Sequence, residues 1–496
     1  MMYSVVFPFT IPLVLVGLAV ASLFLKSILQ YWRLRHIPGP LAAKFSGFWL
    51  ARKFWNKEYF DDIALALDRQ YGPVVSYGPN KVLFSDLSAV GVVFNTKNVL
   101  LKAESYEVAF QPVNGKLISS FATERNEARV TAMKRQIVGA FTTTAILDYE
   151  CHVDRNIKNL ISRLLANTDS ELNIARWNIF FAFDTICNIA FSDDQGFMEK
   201  QSDLGNTLEG TRQRFEHWHN WQALPKLEKL IYKNRFAARG TSGTSLLGRL
   251  AVERLQTRLE KGGLGTHSDL LDRYLQASER DPATFDRSTI IGLLISTIHA
   301  GAETTAGAVN LTLYHLLTNP HTMARLRAEI EDAKLSSPPS WQSVSKLRYL
   351  EACIKEAGRM RPLILDPIER EVPPNGPGIE ISGTYVPPGT VVAVNIHALN
   401  RDPSIWGDRV DEFRPERWIE ADEAQLSKME RANLFFSAGR RVCIGQHIAW
   451  IEMKKFLPEL LNRFDIELVN PEKEPEVVRS MVFFMDELMV RLTPRG

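Results

Sequence analysis

The sequence predicts a mainly α-helical protein with small β-sheets, preceded by one N-terminal transmembrane helix. Three features predict this fold class: long stretches with helical periodicity, short strand-like segments, and an apolar N-terminus without charge. The chain has 496 residues, of which 45% are hydrophobic, so it can bury a large globular core. We find no linker after residue 41 that would divide the rest of the chain into separate domains.

Residues 1–25 predict the transmembrane anchor. They contain no charged side chain, and about 20 apolar residues are enough to cross a bilayer as a helix. A cleaved signal peptide is the alternative, with Ala19-Val-Ala21 as a weak cleavage site, but no basic region precedes the apolar run. Lys26, Arg33 and Arg35 follow the run, so the positive-inside rule predicts that the rest of the chain faces the cytosol.

Residues 26–40 predict a basic, proline-rich hinge between the anchor and one large domain, residues 41–496. The run His36-Ile-Pro-Gly-Pro-Leu41 is expected to be stiff and non-helical, because a proline restricts the residue before it to extended conformations.

Helical periodicity dominates the large domain. It predicts helices at 59–71, 128–141, 154–167, 288–318 and 344–359. Strand-like segments are short, and they are predicted at 74–77, 81–84 and 390–395, with a hairpin at 478–492.

Charge and cysteine usage exclude several classes of function. A net charge of +2 gives no signal for nucleic-acid binding. The four cysteines show no CxxC or Cys/His spacing, which argues against a disulfide scaffold or a zinc site. The chain also contains no G-x-G-x-x-G or P-loop motif. Without a nicotinamide or flavin domain of its own, it would need a partner to supply electrons.

One cysteine has neighbours suited to a cofactor. Cys443 lies in the run Phe436-Ser-Ala-Gly-Arg-Arg-Val-Cys-Ile-Gly445. A thiolate here can ligate iron, Gly439 and Gly445 let the backbone pass close to a flat cofactor, and Arg441 can neutralise a cofactor carboxylate. The alternative is a small buried hydrophobe, the usual state of a lone cysteine. Five fixed positions within ten residues argue against that alternative.

This run fits F-x-x-G-x-R-x-C-x-G at every fixed position and resembles the haem-ligand loop of the cytochrome P450 family. Ala300-Gly-Ala-Glu-Thr-Thr305 matches the family's [AG]-G-x-[DE]-T-[ST] motif, and Glu356-Ala-Gly-Arg359 matches its E-x-x-R motif. The alternatives are two polar residues packed between helices and an ordinary ion pair. The resemblance covers nearly the whole chain. The segments 122–126, 139–141 and 367–370 are similar to a fungal subgroup that includes pisatin demethylase-like enzymes.

The resemblance implies haem b with the Cys443 thiolate as its proximal iron ligand, in a loop that begins at Phe436. Arg441 and Arg370 are the implied partners of the haem carboxylates. A third position departs from the family, because its W-x-x-x-R motif is Val130-x-x-x-Lys134 here. Lys134 would bind a carboxylate as a point charge and not as a guanidinium fork, and Arg135 is the alternative.

The resemblance also implies roles for the two other motifs. The Thr304 hydroxyl, which can bond back to the Ala300 carbonyl, would handle protons beside bound dioxygen, and Glu303 would link it to water. Glu356, Arg359 and Arg417 are implied to form a buried network that supports the haem loop, with Arg417 supplied by the segment 413–418.

The implied function is a haem-thiolate monooxygenase of fungal secondary metabolism that hydroxylates or O-demethylates a lipophilic small molecule. Electrons would pass from NADPH through NADPH–cytochrome P450 reductase, with cytochrome b5 as an optional second donor, at the endoplasmic reticulum membrane. A reductase-independent isomerase or dehydratase and a non-catalytic haem-binding membrane protein are the alternatives. The intact Glu303-Thr304 pair argues against both.

Two surfaces complete the sequence-based expectations. Arg431, Arg440, Lys454 and Lys455 are predicted to form a basic docking surface for the reductase, with ordinary solvated charge as the alternative. By position in the family pattern, the substrate pocket is expected to draw on 105–118, 177–183, 293–304, 363–368 and 483–484. These segments are largely apolar, which favours a mid-sized lipophilic substrate and gives no basic cluster that demands a carboxylate.

Overall fold

A computed structural model describes residues 7–113, 116–168, 170–234, 246–262, 265 and 268–495. Within these residues, long helices account for most of the chain and short strands form small sheets, which confirms the predicted fold class.

The helices of the N-terminal half are α1 (Phe7–Arg33), α2 (Leu41–Phe45), α3 (Phe48–Trp55), α4 (Phe60–Tyr71), α5 (Leu87–Val93), α6 (Glu127–Ile137), α7 (Ile146–Leu165), α8 (Ile174–Phe191), α9 (Phe197–Lys200), α10 (Thr207–Trp221), α11 (Pro225–Tyr232) and α12 (Leu246–Glu260). Those of the C-terminal half are α13 (Leu270–Arg280), α14 (Arg287–Thr318), α15 (Pro320–Asp332), α16 (Trp341–Val344), α17 (Arg348–Met360), α18 (Ile396–Leu399), α19 (Pro403–Trp406), α20 (Arg417–Glu420), α21 (Glu423–Ala432) and α22 (Gln446–Arg463). Short 3-10 turns occur at Glu104–Ala109, Val138–Phe141, Leu204–Asn206 and Gly439–Arg441.

Helix α14 is the centre of the molecule. Asp286 begins it by accepting a hydrogen bond from the Thr289 amide, and the helix ends just before Pro320, whose ring disfavours helical geometry at Asn319. Its sequence is apolar on nearly all sides, which is typical of a helix buried in a core. Accordingly, α14 packs against α8, α12, α17 and α22, and the largest hydrophobic cluster surrounds it.

The strands form one larger sheet and several small ones. They are β1 (Val74–Gly78), β2 (Lys81–Phe84), β3 (Leu101–Lys102), β4 (Gln111–Val113), β5 (Lys116–Ile118), β6 (Leu172–Asn173), β7 (Arg370–Glu371), β8 (Ile379–Ile381), β9 (Thr384–Val386), β10 (Val391–Val394), β11 (Phe464–Leu468), β12 (Val477–Arg479), β13 (Phe483–Met485) and β14 (Met489–Pro494).

The order of the larger sheet, β1-β2-β10-β7-β3, decides which loops meet. Strand β10 runs parallel to β2, and the other neighbours are antiparallel. Because β3 pairs with β7, Lys102 lies directly opposite Arg370. Strands β11, β14 and β6 form a second sheet, and β12 pairs with β13, so the predicted hairpin at 478–492 contributes to two sheets.

The N-terminal predictions are only partly covered. The predicted anchor, residues 1–25, lies partly outside the described residues, because α1 is described from Phe7 onward. Among the described helices, none is both long enough and apolar enough to span a bilayer. After α1, the proline-rich run is hydrogen-bonded to strand β1 of the larger sheet, where the Ser76 amide donates to the Pro38 carbonyl at 2.7 Å. Gly39, with φ +151°, passes so close that a Cβ would lie 2.3 Å from the Ser76 carbonyl oxygen.

Candidate active site

Cys443 lies in the loop between the Gly439–Arg441 turn and the N-terminus of α22. Its amide donates to the Phe436 carbonyl at 2.9 Å, which closes the loop. The amides of Gly445 and Gln446 donate toward its sulfur and favour the thiolate, but burial is the larger effect and raises the pKa of the Cys443 thiol. A thiolate at this position therefore needs a further positive partner, which an iron ion would supply.

The Cys443 thiol faces an internal space. Its side chain has accessible surface, yet protein surrounds it closely enough for burial to govern its pKa. An accessible side chain that protein surrounds on most sides fits a position beside an internal space and not on the outer surface. The loop residues around it, from Phe435 to His447, are likewise partly accessible, although several pack on the main core.

The two loop glycines have different explanations. At Gly445 the backbone φ is −84°, and a Cβ would meet no protein atom within 4 Å, so the protein alone does not require glycine there. Open space beside this glycine fits a flat cofactor. Gly439 has φ +69°, and a Cβ would lie 1.7 Å from the Phe94 carbonyl oxygen. The close packing on the end of α5 accounts for Gly439 without a cofactor, which corrects the reason inferred from the sequence.

A second accessible surface runs along the centre of α14. Ser296, Ala300 and Thr304 are spaced four residues apart, which places them on one face of the helix. All three are accessible, and Ala300 is the most exposed of them, although their neighbours Ile298, His299, Ala302 and Glu303 are buried. Because α14 lies inside the molecule, this stripe of small side chains borders an internal cavity.

The threonine motif has the local geometry predicted for it. Thr304 Oγ1 donates to the Ala300 carbonyl at 2.5 Å, so its oxygen lone pairs stay free to accept a hydrogen bond from the cavity. The adjacent Gly301 faces α8, where a Cβ would lie 2.7 Å from the Cγ1 atom of Ile186. Close packing of two helices therefore explains this glycine, and α14 continues without interruption through the motif.

Glu303 is the acid of the same motif, and the structure gives it partners that the sequence did not predict. Its Oε1 accepts from Arg212 Nε at 2.7 Å, and Arg212 Nη1 lies 2.6 Å from Asp486. The pKa of Glu303 is raised to about 7. Burial is the largest cause, the charge of Arg212 opposes it, and the charge of Asp486 adds to it. Its second oxygen, Oε2, is buried without a partner. Glu303 can therefore exchange a proton near neutral pH.

Three buried cations cluster at the end of β3 and β7. Lys102 and Arg370 are 7% and 3% exposed and lie directly opposite each other, an arrangement that like charges disfavour. Burial, followed by the charges of Arg370 and Arg441, holds the pKa of Lys102 well below its ordinary value. Glu127 is the acid beside them and is bonded to Arg441 at 2.7 Å. This cluster carries an excess of positive charge that anionic groups would neutralise.

The members of this cluster differ in their free donors. Arg441 donates to Glu127, to the Phe121 carbonyl and to the Glu124 carbonyl, so most of its donors have protein partners. Arg370 donates only to its neighbour's carbonyl at 3.0 Å and to the Tyr106 hydroxyl at 3.5 Å, among the described residues. Arg370 thus keeps free donors for a carboxylate. Lys102, which the sequence motifs did not reveal, completes the set.

The predicted third cation position is weakly placed for that task. Lys134 Nζ donates to the Arg440 carbonyl at 3.3 Å, which brings it to the Cys443 loop. Arg135, the alternative, is exposed on the outer side of α6. The structure therefore brings Arg370, Arg441 and Lys102 together, and it leaves Arg135 outside the cluster.

The E-x-x-R motif forms the buried network that the sequence predicted. Arg359 binds Glu356 through two bonds of 2.9 and 3.0 Å, and Arg417 Nε binds the same carboxylate at 2.8 Å. Further donors to Glu356 are the Trp418 indole at 2.9 Å and the Arg414 amide at 3.1 Å. Breaking a buried pair of this kind typically costs about 3–5 kcal/mol, because the remaining charge stays buried alone.

Helix α17 also contacts the Cys443 loop directly. Gly358 lies against Phe435, and a Cβ there would be 2.5 Å from the ring. Phe435 in turn packs edge-on against Phe436, with ring centroids 4.8 Å apart, and Phe436 packs against Trp450 of α22. The network around Glu356 therefore positions the loop through this aromatic contact.

The predicted docking surface is wrong in two of its residues. Lys455 is fully buried and pairs with Glu150 and Asp154, and Lys454 is buried and pairs with Glu351 at 2.7 Å. Neither ammonium group can meet a partner protein at the surface. Arg431 and Arg440 keep exposed surface beside the loop.

The arrangement fits a haem with a thiolate ligand. The thiol of Cys443 opens into a void, the backbone at Gly445 leaves room for a flat group, and Lys102, Arg370 and Arg441 lack enough anions for their charge. A haem would supply an iron to the thiol and two carboxylates to the cations.

Comparison with known proteins agrees with this geometry. A family model described as cytochrome P450 matches residues 37–493. A cytochrome P450 monooxygenase of Aspergillus terreus is 32% identical, with 92% of this chain and 95% of the relative covered. The cytochrome P450 monooxygenases mfmA of Annulohypoxylon moriforme and cicH of Emericella nidulans are each 33% identical. They cover 98% and 94% of this chain, and 97% and 94% of their own lengths are covered.

Replacing Lys102 should have opposite effects on the protein with and without its cofactor. We expect Lys102→Met to stabilise the haem-free protein, because it removes a buried charge that its neighbours repel. The same change should speed haem loss several-fold, because a carboxylate loses its cation. Thermal unfolding of the haem-free protein and haem transfer to apomyoglobin measure the two effects.

The sign of the pH dependence provides a second check on Lys102. Its pKa is lowered on folding, so the unfolded chain binds more protons and the stability of the haem-free protein should rise as pH increases toward 10.5. This rise should be smaller in Lys102→Met. Equal haem retention by the wild type and Lys102→Met would contradict a role for Lys102 in binding the haem.

Proposed function

The chain belongs to the cytochrome P450 family, and on this premise we propose that it inserts one oxygen atom of O2 into a lipophilic small molecule, by hydroxylation or O-demethylation. The family implies a haem-thiolate cofactor, and we propose haem b in particular. The observation that carries the proposal is the Cys443 thiol, which has accessible surface although protein surrounds it closely. We propose that the accessible Ser296–Ala300–Thr304 stripe of the buried helix α14 lines the same space.

Haem, when bound, supplies the activation of dioxygen, and the residues of this chain supply its environment. Cys443 would hold the iron, and the amides of Gly445 and Gln446 would temper the charge on its sulfur. Arg370, Arg441 and Lys102 would hold the carboxylates. Phe436 and Trp450 pack together at the side of the loop and keep it rigid.

Protons would pass through Thr304 and Glu303 of α14. Thr304 keeps its hydroxyl oxygen free to accept a hydrogen bond at the cavity surface, because its proton is given to the Ala300 carbonyl. Glu303, with a pKa of about 7, is able to hold or release a proton at the pH of the cytosol. Burial is the largest cause of this raised pKa, and the charges of Arg212 and Asp486 adjust it from outside the helix, Arg212 downward and Asp486 upward.

Two alternatives use the same scaffold. An isomerase or dehydratase would need no reductase, and a haem-binding membrane protein would need no turnover. The presence of both Thr304 and Glu303 favours the monooxygenase, because neither alternative needs a proton relay beside dioxygen. The fungal origin of the three relatives, and the resemblance of 367–370 and two other segments to pisatin demethylase-like enzymes, favour a role in secondary metabolism.

The carbon monoxide difference spectrum of the dithionite-reduced protein tests the thiolate ligand. We expect the Soret band at the long-wavelength position of a thiolate-ligated ferrous haem, because Cys443 would donate charge to the iron. Cys443→Ala should lose this band and all NADPH-dependent oxidation, while Cys353→Ala, a change at a buried cysteine of α17, should keep it. A folded wild-type protein that shows only the shorter-wavelength band would contradict the proposal.

The proton affinity of Glu303 should change in opposite directions in two variants. Arg212→Leu should raise its pKa above about 7, because the compensating charge is lost, and Asp486→Asn should lower it. Infrared spectra across pH, with the carboxylic acid band assigned by Glu303→Gln, measure this directly. If protonated Glu303 delivers the proton, NADPH-dependent turnover should fall as pH rises through the same value in each variant. Identical titrations of Glu303 in both variants would contradict the proposed effect of Arg212 and Asp486 on its pKa.

The proposed electron donor is NADPH–cytochrome P450 reductase, with cytochrome b5 as an optional second donor. Of the predicted basic residues, Arg431 is exposed and Arg440 partly exposed, and α6, which contacts Arg440 through Thr131 and Lys134, carries the exposed Arg135. Reversing the charge of Arg135 and Arg431 should slow reduction several-fold at low salt and little at high salt, because salt screens exposed charges. Lys226→Glu, on the exposed side of α11, is the control. A loss of rate that salt does not alter would contradict docking here.

We further propose that residues 1–25 attach the protein to the endoplasmic reticulum membrane with a single span, the catalytic domain being cytosolic. The charge-free apolar run followed by Lys26, Arg33 and Arg35 supports this proposal. The full chain should stay with microsomal membranes after alkaline carbonate washing, whereas a chain that lacks residues 1–25 should be released. Release of both would contradict a membrane span.

A further inference from the structure

Helix α10 carries two arginines near the cavity, and they differ in their partners. Arg212 is bonded to the carboxylates of Glu303 and Asp486. Arg214, two residues later, points from a different side of the helix and pairs with no carboxylate among the described residues. Its one described hydrogen bond runs from Nη2 to the Ala109 carbonyl at 3.4 Å, a long distance for such a bond.

Arg214, like Cys443, has accessible surface although protein encloses it closely. It is partly accessible, yet burial lowers the pKa of its guanidinium to about 10, and no nearby acid raises it. The segment 111–116, which follows Ala109 closely in the chain, contains no Asp or Glu that would serve as a counter-ion. A guanidinium surrounded by protein without an anion is costly to keep charged.

A polar side chain without a partner lies nearby on α14. His299 is 9% exposed, and its Nε2 is buried with no hydrogen bond. Burial, followed by the charge of Arg214, holds the pKa of His299 well below its ordinary value, so the imidazole is neutral and able to donate one hydrogen bond. Phe215 packs edge-on against His299 and also contacts Phe484, at centroid distances of 6.1 Å, so apolar rings adjoin the two polar groups.

A purely structural role for Arg214 leaves its charge unexplained. Such a role would be to hold the turn Glu104–Ala109 against α10. Trp218 of α10 already does this, because its indole donates to the Ser105 carbonyl at 3.1 Å. Lys233, at the end of α11, fixes the same turn by donating to the Glu107 and Val108 carbonyls at 2.9 and 2.7 Å. Lys233 also has its own counter-ion, Glu228, at 2.7 Å. One long bond from Arg214 adds little to that attachment.

We propose that Arg214 and His299 bind the carboxylate of the substrate, which is therefore a lipophilic carboxylic acid. A guanidinium and a neutral imidazole offer hydrogen bonds to the two carboxylate oxygens, and the anion removes the cost of the buried cation. This proposal rests on the proposed monooxygenase function and departs from the sequence-based expectation, which gave the pocket no basic cluster that demands a carboxylate.

The position of His299 limits which part of the acid is oxidised. His299 and Thr304 are five residues apart on α14, which corresponds to about 7.5 Å along the helix axis. The carboxylate is thus held close to the Ser296–Ala300–Thr304 stripe and not at a distant entrance. Oxidation should fall on a carbon a few bonds from the acid group.

Imidazole-tethered acids test the site before the substrate is known. We would titrate the haem-loaded enzyme with ω-(imidazol-1-yl)alkanoic acids of increasing chain length and with their methyl esters, and follow the spectral shift of nitrogen ligation. The imidazole anchors each probe at the iron, so the acid and the ester differ only at the far end. At the chain length that reaches Arg214, the acid should bind about tenfold more tightly than the ester.

Variants identify the group responsible. Arg214→Gln should abolish the preference for the acid and leave ester binding unchanged, Arg214→Lys should keep part of it, and His299→Leu should reduce it several-fold. Lys229→Gln removes an exposed cation that pairs with Glu107 on the same side of the molecule, and it should keep the full preference.

The outcomes separate the carboxylate site from its alternatives. Esters that bind as tightly as acids at every chain length, or a preference that survives Arg214→Gln, would overturn the carboxylate site. Equal weakening of acid and ester by Arg214→Gln would also overturn it, by showing a structural role. The absence of a spectral shift with any probe would instead remove the haem function itself, and the carboxylate site with it.

Discussion

A single buried carboxylate organises the half of the molecule that holds the thiol. Glu356 accepts hydrogen bonds from Arg359, Arg414, Arg417 and Trp418, so it joins α17 to the segment 400–420 that precedes α21 and the Cys443 loop. A buried charge is strongly destabilising when one of its partners is lost, so the network restricts how α17 and this segment can pack. Arg359 also donates to the Asn400 and Val410 carbonyls at 2.8 and 2.7 Å, which fixes the start of that segment. The ion network around Glu356 thus helps to position the Cys443 thiol, although the network itself takes no part in the proposed reaction.

Two regions of the protein carry positive charge that the protein itself does not balance. One is the set Lys102, Arg370 and Arg441, where one acid, Glu127, faces three cations. The other is Arg214, which has no described acid at all. Most other buried cations here have close carboxylates, as Lys455 and Arg258 do. Both regions are therefore suited to anionic groups, and the proposals assign the haem carboxylates to the first and the substrate carboxylate to the second.

Short-range features were predictable from the sequence, and long-range pairings were not. The predicted helices at 59–71 and 288–318 and the strand at 81–84 differ from the observed ones by no more than one residue at either end, because periodicity and capping residues are local signals. The predicted helix at 344–359 is instead two helices, separated at Ser345–Leu347. Lys455 was misassigned because its partner Glu150 lies 305 residues away. The sequence analysis missed Lys102, Arg212 and Arg214 for the same reason. Their contacts form only when distant strands and helices pack together, and no sequence motif predicts such contacts.

The contact between Gly358 and Phe435 has a consequence for the evolution of the family. The ring of Phe435 occupies the space in which a Cβ at Gly358 would lie, so only a hydrogen atom fits on that side of the Gly358 Cα. Neither position can therefore drift alone: a larger residue in the helix demands a smaller one in the loop, and a smaller ring leaves a hole that favours a larger helix residue. Among relatives, these two positions should covary in volume with opposite sign, although they are far apart in sequence and neither touches a reactant.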